Sequence, residues 1–567
     1  MKILGICSDI FITSAVLLED GKVVAGIAEE RLLRQKMYRG FPMKAVKFCL
    51  KEAECSLEDI DCIALGWNPG LHLKPSSLRL GSVIRWRGEL LHSIPHALLC
   101  LAKTNDVDFV DQTLKQNGKE IKIIYVTHHQ SHAANAFYIS PFKDSAILTI
   151  DGRGEEDTAG FFVGRDNKIE ELKLVKVPHS LGLFYGTFTD FLGFTPHSDE
   201  WKVMALAARH FEKNKYYEKV KKLITLLPDG TFELDLRYFS YYLGDRSHWY
   251  SNKFVELFGQ PRGEEDELTD DHYELAEALQ MISEEAVVHM LNWLHKETKM
   301  ENIVVSGGFF MNSVFNGKIL EKTKFKKVFI SSCPDDSGTS LGAALYAYNH
   351  IYGNKKRQEQ VHNYYGPQFS DEEIKKTLEK YKIPYSYVED IENKTAQLIA
   401  KGNIVGWFQG RMEFGQRALG NRSILADPRD PKMKDKVNSA VKYREAFRPF
   451  APSILEERVA EYFVCDKGDR VPFMEKVFMI RPEKQKLIPA VTHIDGSGRL
   501  QTVNKEINPR YYKLISEFEK LSGIPIVLNT SFNLKGEAIV CAPTDALRTF
   551  FSCGLDVLVL GNYIVTK

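Results

Sequence analysis

The sequence is short of the features that would send a chain to a membrane or cross-link it. No window approaches the roughly 20 consecutive apolar residues that span a bilayer. Lys and Arg number 75 against 75 Asp and Glu, so there is no net charge to draw the chain toward nucleic acid or an anionic membrane surface. Its nine cysteines are scattered and form no Cys-x-x-Cys pair, and their odd total argues against a disulfide framework. They read as small buried apolar residues in a reducing compartment. The opening Met-Lys-Ile-Leu-Gly-Ile-Cys-Ser-Asp9 meets a charge within nine residues, so it reads as a buried strand rather than a secretory signal. Low-complexity segments are missing too. A cytoplasmic globular protein with neither nucleic acid nor membrane as partner is expected.

At 567 residues the chain is too long for a single core. Two segments share one plan. Lys2–Asp9, Ser14–Leu18 and Val23–Ile27 are three short apolar runs broken by a polar turn and a tight turn, and Ala146–Gly154, Thr158–Val163 and the run after Lys168 repeat the pattern. This predicts two similar α/β halves with a cleft between them, each opened by a polar turn suited to phosphate. Ile303–Asn312 runs a strand into Gly307-Gly308 and a helix start, where close backbone approach to a ligand competes with a simple turn. A charged, apolar-poor run at Asn354–Gln360 marks the domain boundary, giving domains 1–357 and 358–567, both α/β.

The densest histidine cluster is Thr127-His-His-Gln-Ser-His-Ala133, at the start of a predicted helix. His128 and His132 are one helical turn apart and share a face, so they can hold one ion or serve as ordinary polar residues at a strand-to-helix join. Metal binding needs further ligands. Asp151, ending a strand, and Asp336, in Pro-Asp-Asp-Ser-Gly, are the candidates. Such a set suits Fe(II), Mn(II) or Zn(II) without discriminating sharply among them. His129 points off that face.

A second dense region runs from Gln409 to Arg448 and carries ten Lys or Arg against five Asp or Glu. Arginines interleaved with Gly, Asn and Ser predict an oxyanion pocket, since guanidinium grips phosphate bidentately and small residues admit it to the backbone. A nucleic-acid groove would favour aromatic stacking residues and a longer basic surface. Thr492–Gln501 adds Arg499 on a Gly-rich turn, and Leu528–Asn533 ends a strand in amides and hydroxyls.

Several of these motifs also resemble a known family. Glu29-Glu-Arg31 with Gly40-Phe-Pro42, His128-His-Gln-Ser-His132, Asp151-Gly-Arg-Gly-Glu155, Glu200-Trp-Lys-Val-Met204, Gly410–Ser423, Lys442-Tyr-Arg-Glu445, Phe447–Pro452 and Asn529–Asn533 resemble the O-carbamoyltransferases of antibiotic and nodulation-factor biosynthesis, in the same order over nearly the whole chain. The resemblance implies an N-terminal duplicated ATPase fold of the actin, Hsp70 and sugar-kinase type, like the tRNA threonylcarbamoyltransferase. It implies a C-terminal α/β domain like threonylcarbamoyl-adenylate synthase. The implied chemistry uses carbamoyl phosphate and ATP to make carbamoyl-adenylate, then transfers the carbamoyl group to a hydroxyl of a small acceptor beside a divalent metal. Iron is the first choice of metal, ahead of manganese, zinc or magnesium.

Carried across, the metal ligands are His128, His132, Asp151 and Asp336. Lys442, Arg417 and Arg499 are the catalytic candidates, with Arg422, Arg448, Asn529 and Ser531 as further anion and carbamoyl contacts, and Gly307, Gly308 and Asn312 as cofactor-binding residues. One departure stands out. Phe11 and Ile12 occupy positions where the family commonly has a His-Asp pair serving as acceptor base, which leaves Asp9 or another group for that role. The rival readings are a carbamoyl-adenylate synthase with an altered acceptor step and a non-catalytic nucleotide-binding relative. A homodimer is the oligomer considered. Acceptor choice is expected to reside in the loops 68–100 and 228–270.

Overall fold

The computed structural model describes residues 1–8, 12–68, 110–116, 118–243, 246–445 and 447–567. Asp9, Phe11 and nearly all of the 68–100 loop lie outside the described residues. The chain divides into two compact units, the first comprising Met1–Val24 and Arg39–Gln360, the second Ala25–Tyr38 and Val361–Lys567. The second unit therefore includes a short N-terminal segment, inserted in sequence between two parts of the first.

The first unit holds two sheets built on one plan. One contains β1 (Lys2–Cys7), β2 (Ser14–Glu19), β3 (Lys22–Ala28), β4 (Cys62–Leu65), β5 (Val110–Gln116) and β6 (Lys119–Tyr125), in the order β3-β2-β1-β4-β6-β5. The other contains β7 (Asp144–Ile150), β8 (Asp157–Arg165), β9 (Lys168–Lys176), β12 (Asn302–Ser306) and β13 (Lys327–Ile330), in the order β13-β12-β7-β8-β9. A two-stranded hairpin, β10 (Ile224–Leu226) with β11 (Phe232–Leu234), lies in sequence between β9 and β12. In both sheets the first strand pairs antiparallel with the second and parallel with the fourth. The two sheets thus repeat one topology, in agreement with the duplicated α/β fold that was expected. Strands β1 and β7 lie at sheet centres and are buried on both faces beyond their first residues, which is why they read as continuous apolar runs rather than alternating ones.

Small residues let one short helix press on both halves. The helix Thr339–Leu345 passes so close to β1 that a Cβ on Gly5 would sit 2.0 Å from the Ser340 carbonyl oxygen. On another side, a Cβ on Gly342 would sit 1.8 Å from the carbonyl oxygen of Ser131, in the helix His128–Phe137. Asn135 of that same helix donates to the Cys333 carbonyl at 2.7 Å and to Ser331 Oγ at 3.1 Å, tying it to the turn that carries Asp336.

The second unit is organised by a mixed eight-stranded sheet of β14 (Ser386–Tyr387), β15 (Val405–Phe408), β16 (Arg422–Ala426), β17 (Ala451–Leu455), β20 (Gln501–Val503), β21 (Ile526–Ser531), β22 (Val557–Leu560) and β23 (Tyr563–Thr566). The order is β14-β23-β22-β15-β16-β21-β17-β20, and a separate pair joins β18 (Val477–Met479) to β19 (Ser497–Arg499). Trp407, Tyr511 and Phe518 are among the largest side chains of the core beneath this sheet. The segment 25–38 is fastened to the unit by Arg31, which donates to the Gly415 carbonyl at 2.9 Å, and by Arg34, which donates to the Ala538 carbonyl at 2.6 Å.

The contact between Gly342 and Ser131 generates a test. Gly342→Ala forces the two helices apart, and overpacking of this kind costs about 1–3 kcal/mol. The thermal midpoint of the first unit, followed by calorimetry, is expected to fall by roughly 5 °C. An unchanged midpoint would show that the close approach carries no weight in the packing.

Candidate functional site

In the first unit, four side chains from three separate elements meet at one point. His128 and His132 come from the helix His128–Phe137, capped by Thr127, whose hydroxyl accepts from the Gln130 N–H. Asp151 follows the end of β7, and Asp336 opens the turn before the helix Thr339–Leu345. His128 Nε2 lies 3.1 Å from His132 Nε2 and 3.2 Å from Asp151 Oδ2. His132 Nε2 lies 2.9 Å from Asp151 Oδ2, and Asp336 Oδ1 lies 3.5 Å and 3.6 Å from the two imidazole nitrogens. The histidines are buried and the carboxylates nearly so.

These spacings fit a metal ion. Ligand atoms about 2.1 Å from a common centre stand about 3.0 Å apart at right angles and about 3.4 Å apart at tetrahedral angles. The five separations given, 2.9–3.6 Å, lie near those edges, and the four ligand atoms all lie within 4.8 Å of one another. Ser306 Oγ donates to the Pro334 carbonyl at 3.3 Å and lies 3.4 Å from His132 Nδ1, where it can accept the Nδ1 hydrogen, so an ion bound at Nε2 would replace only the proton that Nε2 otherwise shares with the carboxylates. Burial alone would raise the Asp151 carboxyl, but its hydrogen bonds to His128 and His132 and their charge hold it well below the ordinary carboxylate range. Burial, then the charge of Asp151, raises Asp336. Burial works against a proton on His132, yet the two carboxylates outweigh it and push its pKa up to about 9. The carboxylates thus draw positive charge into the cluster, either as a proton on His132 or as a bound cation. His129 is turned away, its Nδ1 2.8 Å from Thr149 Oγ1, as its position on the helix predicted.

Gly307 and Gly308 belong to this same place. Gly307 has φ +100, and a Cβ there would lie 2.1 Å from the Ile150 carbonyl oxygen. A Cβ on Gly308 would lie 2.9 Å from Asp151 Oδ1. The double glycine thus leaves room for the end of β7 and the Asp151 carboxylate. Asn312 is engaged elsewhere. Its Oδ1 caps the turn by accepting from Phe315 N–H at 3.1 Å, and its Nδ2 donates to Gln280 Oε1 at 2.9 Å.

The second unit contains a cluster of cations. Burial, followed by the charges of Arg417, Arg444 and Arg448, holds Arg499 well below the usual guanidinium range. Burial, then Arg444, Arg448 and Lys36, does the same to Lys442. Arg444 itself is lowered to about 9 by burial and by Arg448, against the pull of Glu445. Arg448 pairs with Glu445 at 3.2 Å, and Arg444 lies over the Phe450 ring at 4.2 Å. Arg417, Arg444 and Arg448 therefore bear on Arg499, and Arg444 and Arg448 also bear on Lys442. Sequence reasoning named Arg417, Arg448, Arg499 and Lys442, but missed Arg444, which its place in Lys-Tyr-Arg-Glu could have suggested.

Lys442 ends a π-helical turn, Asn438–Lys442, and its ammonium is held by the end of β21. It donates to the carbonyls of Ser531 at 2.5 Å and Asn533 at 3.0 Å, and to Asn533 Oδ1 at 2.9 Å. Ser531 Oγ donates to Asn533 Oδ1 at 2.6 Å. Asn529 gives its amide hydrogens to an acceptor group formed by Ala418 O, Ser453 Oγ and Gln501 Oε1 at 3.0–3.2 Å, while its Oδ1 is buried without a partner among the described residues.

Arg422 sits apart from this cluster. It is fully buried, lies 3.7 Å over the Phe408 ring, and donates to the carbonyls of Gln409, Gly410, Asn421 and Pro367 at 2.5–3.2 Å. Its work here is to hold the chain around it. Glu413 is its counterpart, with Oε1 accepting from the N–H groups of Leu419, Asn421 and Arg422 at 2.7, 2.9 and 3.3 Å. One carboxylate thereby shapes the 413–422 loop, a role the sequence reading did not assign.

Comparison with known proteins agrees with this two-part organisation. The family model described as carbamoyltransferase N-terminus matches residues 2–345, and that described as carbamoyltransferase C-terminus matches residues 396–567. An uncharacterized protein of Synechocystis sp. is 38% identical over all of this chain and 96% of its own length. Nodulation protein NolNO of Sinorhizobium fredii is 36% identical over 98% of this chain and 78% of its own length. The 3'-hydroxymethylcephem-O-carbamoyltransferase of Amycolatopsis lactamdurans is 28% identical over 78% of this chain and 81% of its own length.

The histidine geometry predicts that His132→Ala loses bound divalent metal while the fold persists. Elemental analysis of the purified variant beside the unaltered protein measures this. Full metal occupancy in the variant would return the His128–His132 pair to an ordinary helix start.

Proposed function

Because the chain belongs to the carbamoyltransferase family, we propose that it is an ATP-dependent O-carbamoyltransferase acting on a hydroxyl of a small molecule. In this reading the C-terminal unit takes carbamoyl phosphate, ATP and one water to carbamoyl-adenylate, phosphate and pyrophosphate. Water frees phosphate and leaves carbamate, and a carbamate oxygen bonds the α-phosphorus of ATP as pyrophosphate departs. In the second step the acceptor oxygen bonds the carbamoyl carbon, the bond from that carbon to the AMP oxygen breaks, and the hydroxyl proton is lost.

The observation that carries this proposal is the cation cluster. Arg417, Arg444 and Arg448 disfavour the charge of Arg499, and Arg444 and Arg448 that of Lys442, and a ligand bearing several negative charges would relieve these groups together. Carbamoyl phosphate with a nucleoside triphosphate is such a ligand set. Arg417, Arg448 and Arg499 are assigned to the phosphates. Lys442 steadies the Ser531–Asn533 turn, and Asn529 with Ser531 offers polar groups to the carbamoyl end. A divalent ion held by His128, His132, Asp151 and Asp336 would supply positive charge to a departing phosphate. The hydroxyl acceptor is supported by the cephem relative, whose name gives a hydroxymethyl group as its site of carbamoylation.

The test is pyrophosphate release from the purified protein with ATP, with and without carbamoyl phosphate and with no acceptor added. Release dependent on carbamoyl phosphate is expected. Arg417→Ala and Arg499→Ala are each expected to lower it by about 100-fold, in line with loss of a charged group at a reacting phosphate. Near-normal release from both variants would overturn the assignment of the pocket, and release indifferent to carbamoyl phosphate would overturn the reaction.

A further inference from the structure

We propose that His493 reads the amide end of the carbamoyl group, its Nε2 accepting a hydrogen bond from the carbamoyl NH2. This rests on the reading of the cation cluster as a carbamoyl phosphate pocket. Nothing in the assignments above gives His493 a role.

The inference starts from a short hairpin. His493 N–H donates to the Ser497 carbonyl at 2.8 Å, and Gly496 N–H donates to the His493 carbonyl at 3.0 Å. Inside this turn the Asp495 carboxylate accepts from Ser497 N–H at 2.9 Å and from Ser497 Oγ at 2.7 Å. A serine hydroxyl has a single hydrogen, and here the carboxylate takes it. Ser497 Oγ must then accept from His493, whose Nδ1 lies 3.1 Å away. The proton of a neutral imidazole is thereby placed on Nδ1, and Nε2 is left as a bare acceptor. Burial, helped by the charges of Arg499 and Lys434 against that of Asp495, lowers the ring pKa to about 4, so the ring is neutral at ordinary pH.

That Nε2 is buried and has no hydrogen-bond partner among the described residues. An acceptor left in this condition costs about 1–3 kcal/mol, a cost that a bound ligand can remove. Its surroundings narrow the ligand. Arg499 lies two residues beyond Ser497 on β19, and the backbone of Phe450, whose ring carries Arg444, reaches the His493 ring. Guanidinium groups only donate, so they meet the phosphate of carbamoyl phosphate but cannot meet its NH2. The amide needs acceptors, and the hairpin prepares one. Asn529 Oδ1 is a second buried acceptor with no partner among the described residues of this unit. Acetyl phosphate has the same phosphate end and a methyl group where carbamoyl phosphate has NH2, so the two compounds separate amide recognition from phosphate binding.

The experiment is titration calorimetry of the full-length protein with carbamoyl phosphate, acetyl phosphate and inorganic phosphate. The unaltered protein should prefer carbamoyl phosphate over acetyl phosphate. His493→Phe removes the acceptor and should lower that preference about tenfold, the worth of one buried hydrogen bond. His493→Gln, which can place an amide oxygen where Nε2 was, should keep it to within about threefold. Ser497→Ala keeps the ring but releases its tautomer and should lower the preference to a value between the two, which also serves if His493→Phe fails to fold.

Three outcomes overturn the proposal: no preference in the unaltered protein, an unchanged preference in His493→Phe, or equal losses in His493→Phe and His493→Gln. The last would mark a structural role for the ring. A protein that binds none of the three probes would instead overturn the pocket reading itself, and the proposal with it.

Discussion

Like charges held within one another's fields are the constraint on which the C-terminal unit depends. Two unit charges about 6 Å apart repel by roughly 3 kcal/mol at an effective dielectric of about 20. Arg417, Arg444 and Arg448 bear on Arg499 in this way, as Arg444 and Arg448 do on Lys442, and burial adds to the cost. The surrounding chain answers at each point. Phe450 offers its ring face to Arg444, Glu445 pairs with Arg448, and the end of β21 surrounds the Lys442 ammonium with oxygen atoms. Behind them, Glu413 and Arg422 hold the 413–422 loop by main-chain hydrogen bonds. Such an arrangement costs stability, a cost that negative charge placed among these cations would offset.

The N-terminal unit has the opposite problem. Its four converging side chains present acceptor atoms, and two of them are carboxylates. Asp151 is driven down and Asp336 up, so without a cation the pair settles its conflict by sharing protons with His128 and His132. The backbone makes the convergence possible. The Thr339–Leu345 helix can approach β1 and the histidine helix only because Gly5 and Gly342 carry no side chain. Gly307 and Gly308 do the same for the end of β7. Removing Cβ atoms at these points is what brings two helices and a strand end to one centre.

Much of this was legible in the sequence, for reasons that can be stated. The repeated strand pattern specified the two sheets because a central strand buried on both faces must be apolar throughout. The convergence of His128, His132, Asp151 and Asp336 was legible because i, i+4 spacing on a helix and aspartates at strand ends are local signatures whose directions are fixed by the backbone. Direction is also where the reading failed. Arg422 has the composition of an anion contact, but it sits in β16, and its side chain runs into the core against Phe408. Asn312 follows a double glycine as a ligand contact could, yet a helix N-terminus claims it. The Ser497 relay and the Glu413 loop were illegible because each depends on which acceptor wins a particular hydrogen, a matter of tenths of an ångström. Membership of residues 25–38 in the second unit depends on Arg31 and Arg34 reaching carbonyls almost 400 and 500 positions away, as their separations of 384 and 504 residues show.

The two centres are electrostatic opposites, and neither can do the other's work. A divalent cation gains nothing among guanidinium groups, while a phosphate ester is repelled by paired carboxylates unless a metal reverses their charge. The proposed function accordingly assigns the polyphosphates to the arginines and the metal to the histidines. The family's N-terminal model spans the four converging His and Asp residues, and its C-terminal model spans the arginines. Within the arginine cluster, phosphate affinity alone would admit any phosphorylated metabolite of the right size, because guanidinium reads charge and geometry but not what the phosphate is attached to. Discrimination must come from a group that the phosphate does not satisfy. In a field of donors that group is an acceptor, and holding an acceptor bare and neutral among cations takes a second hydrogen bond to fix its tautomer. The hairpin from His493 to Ser497 has that form.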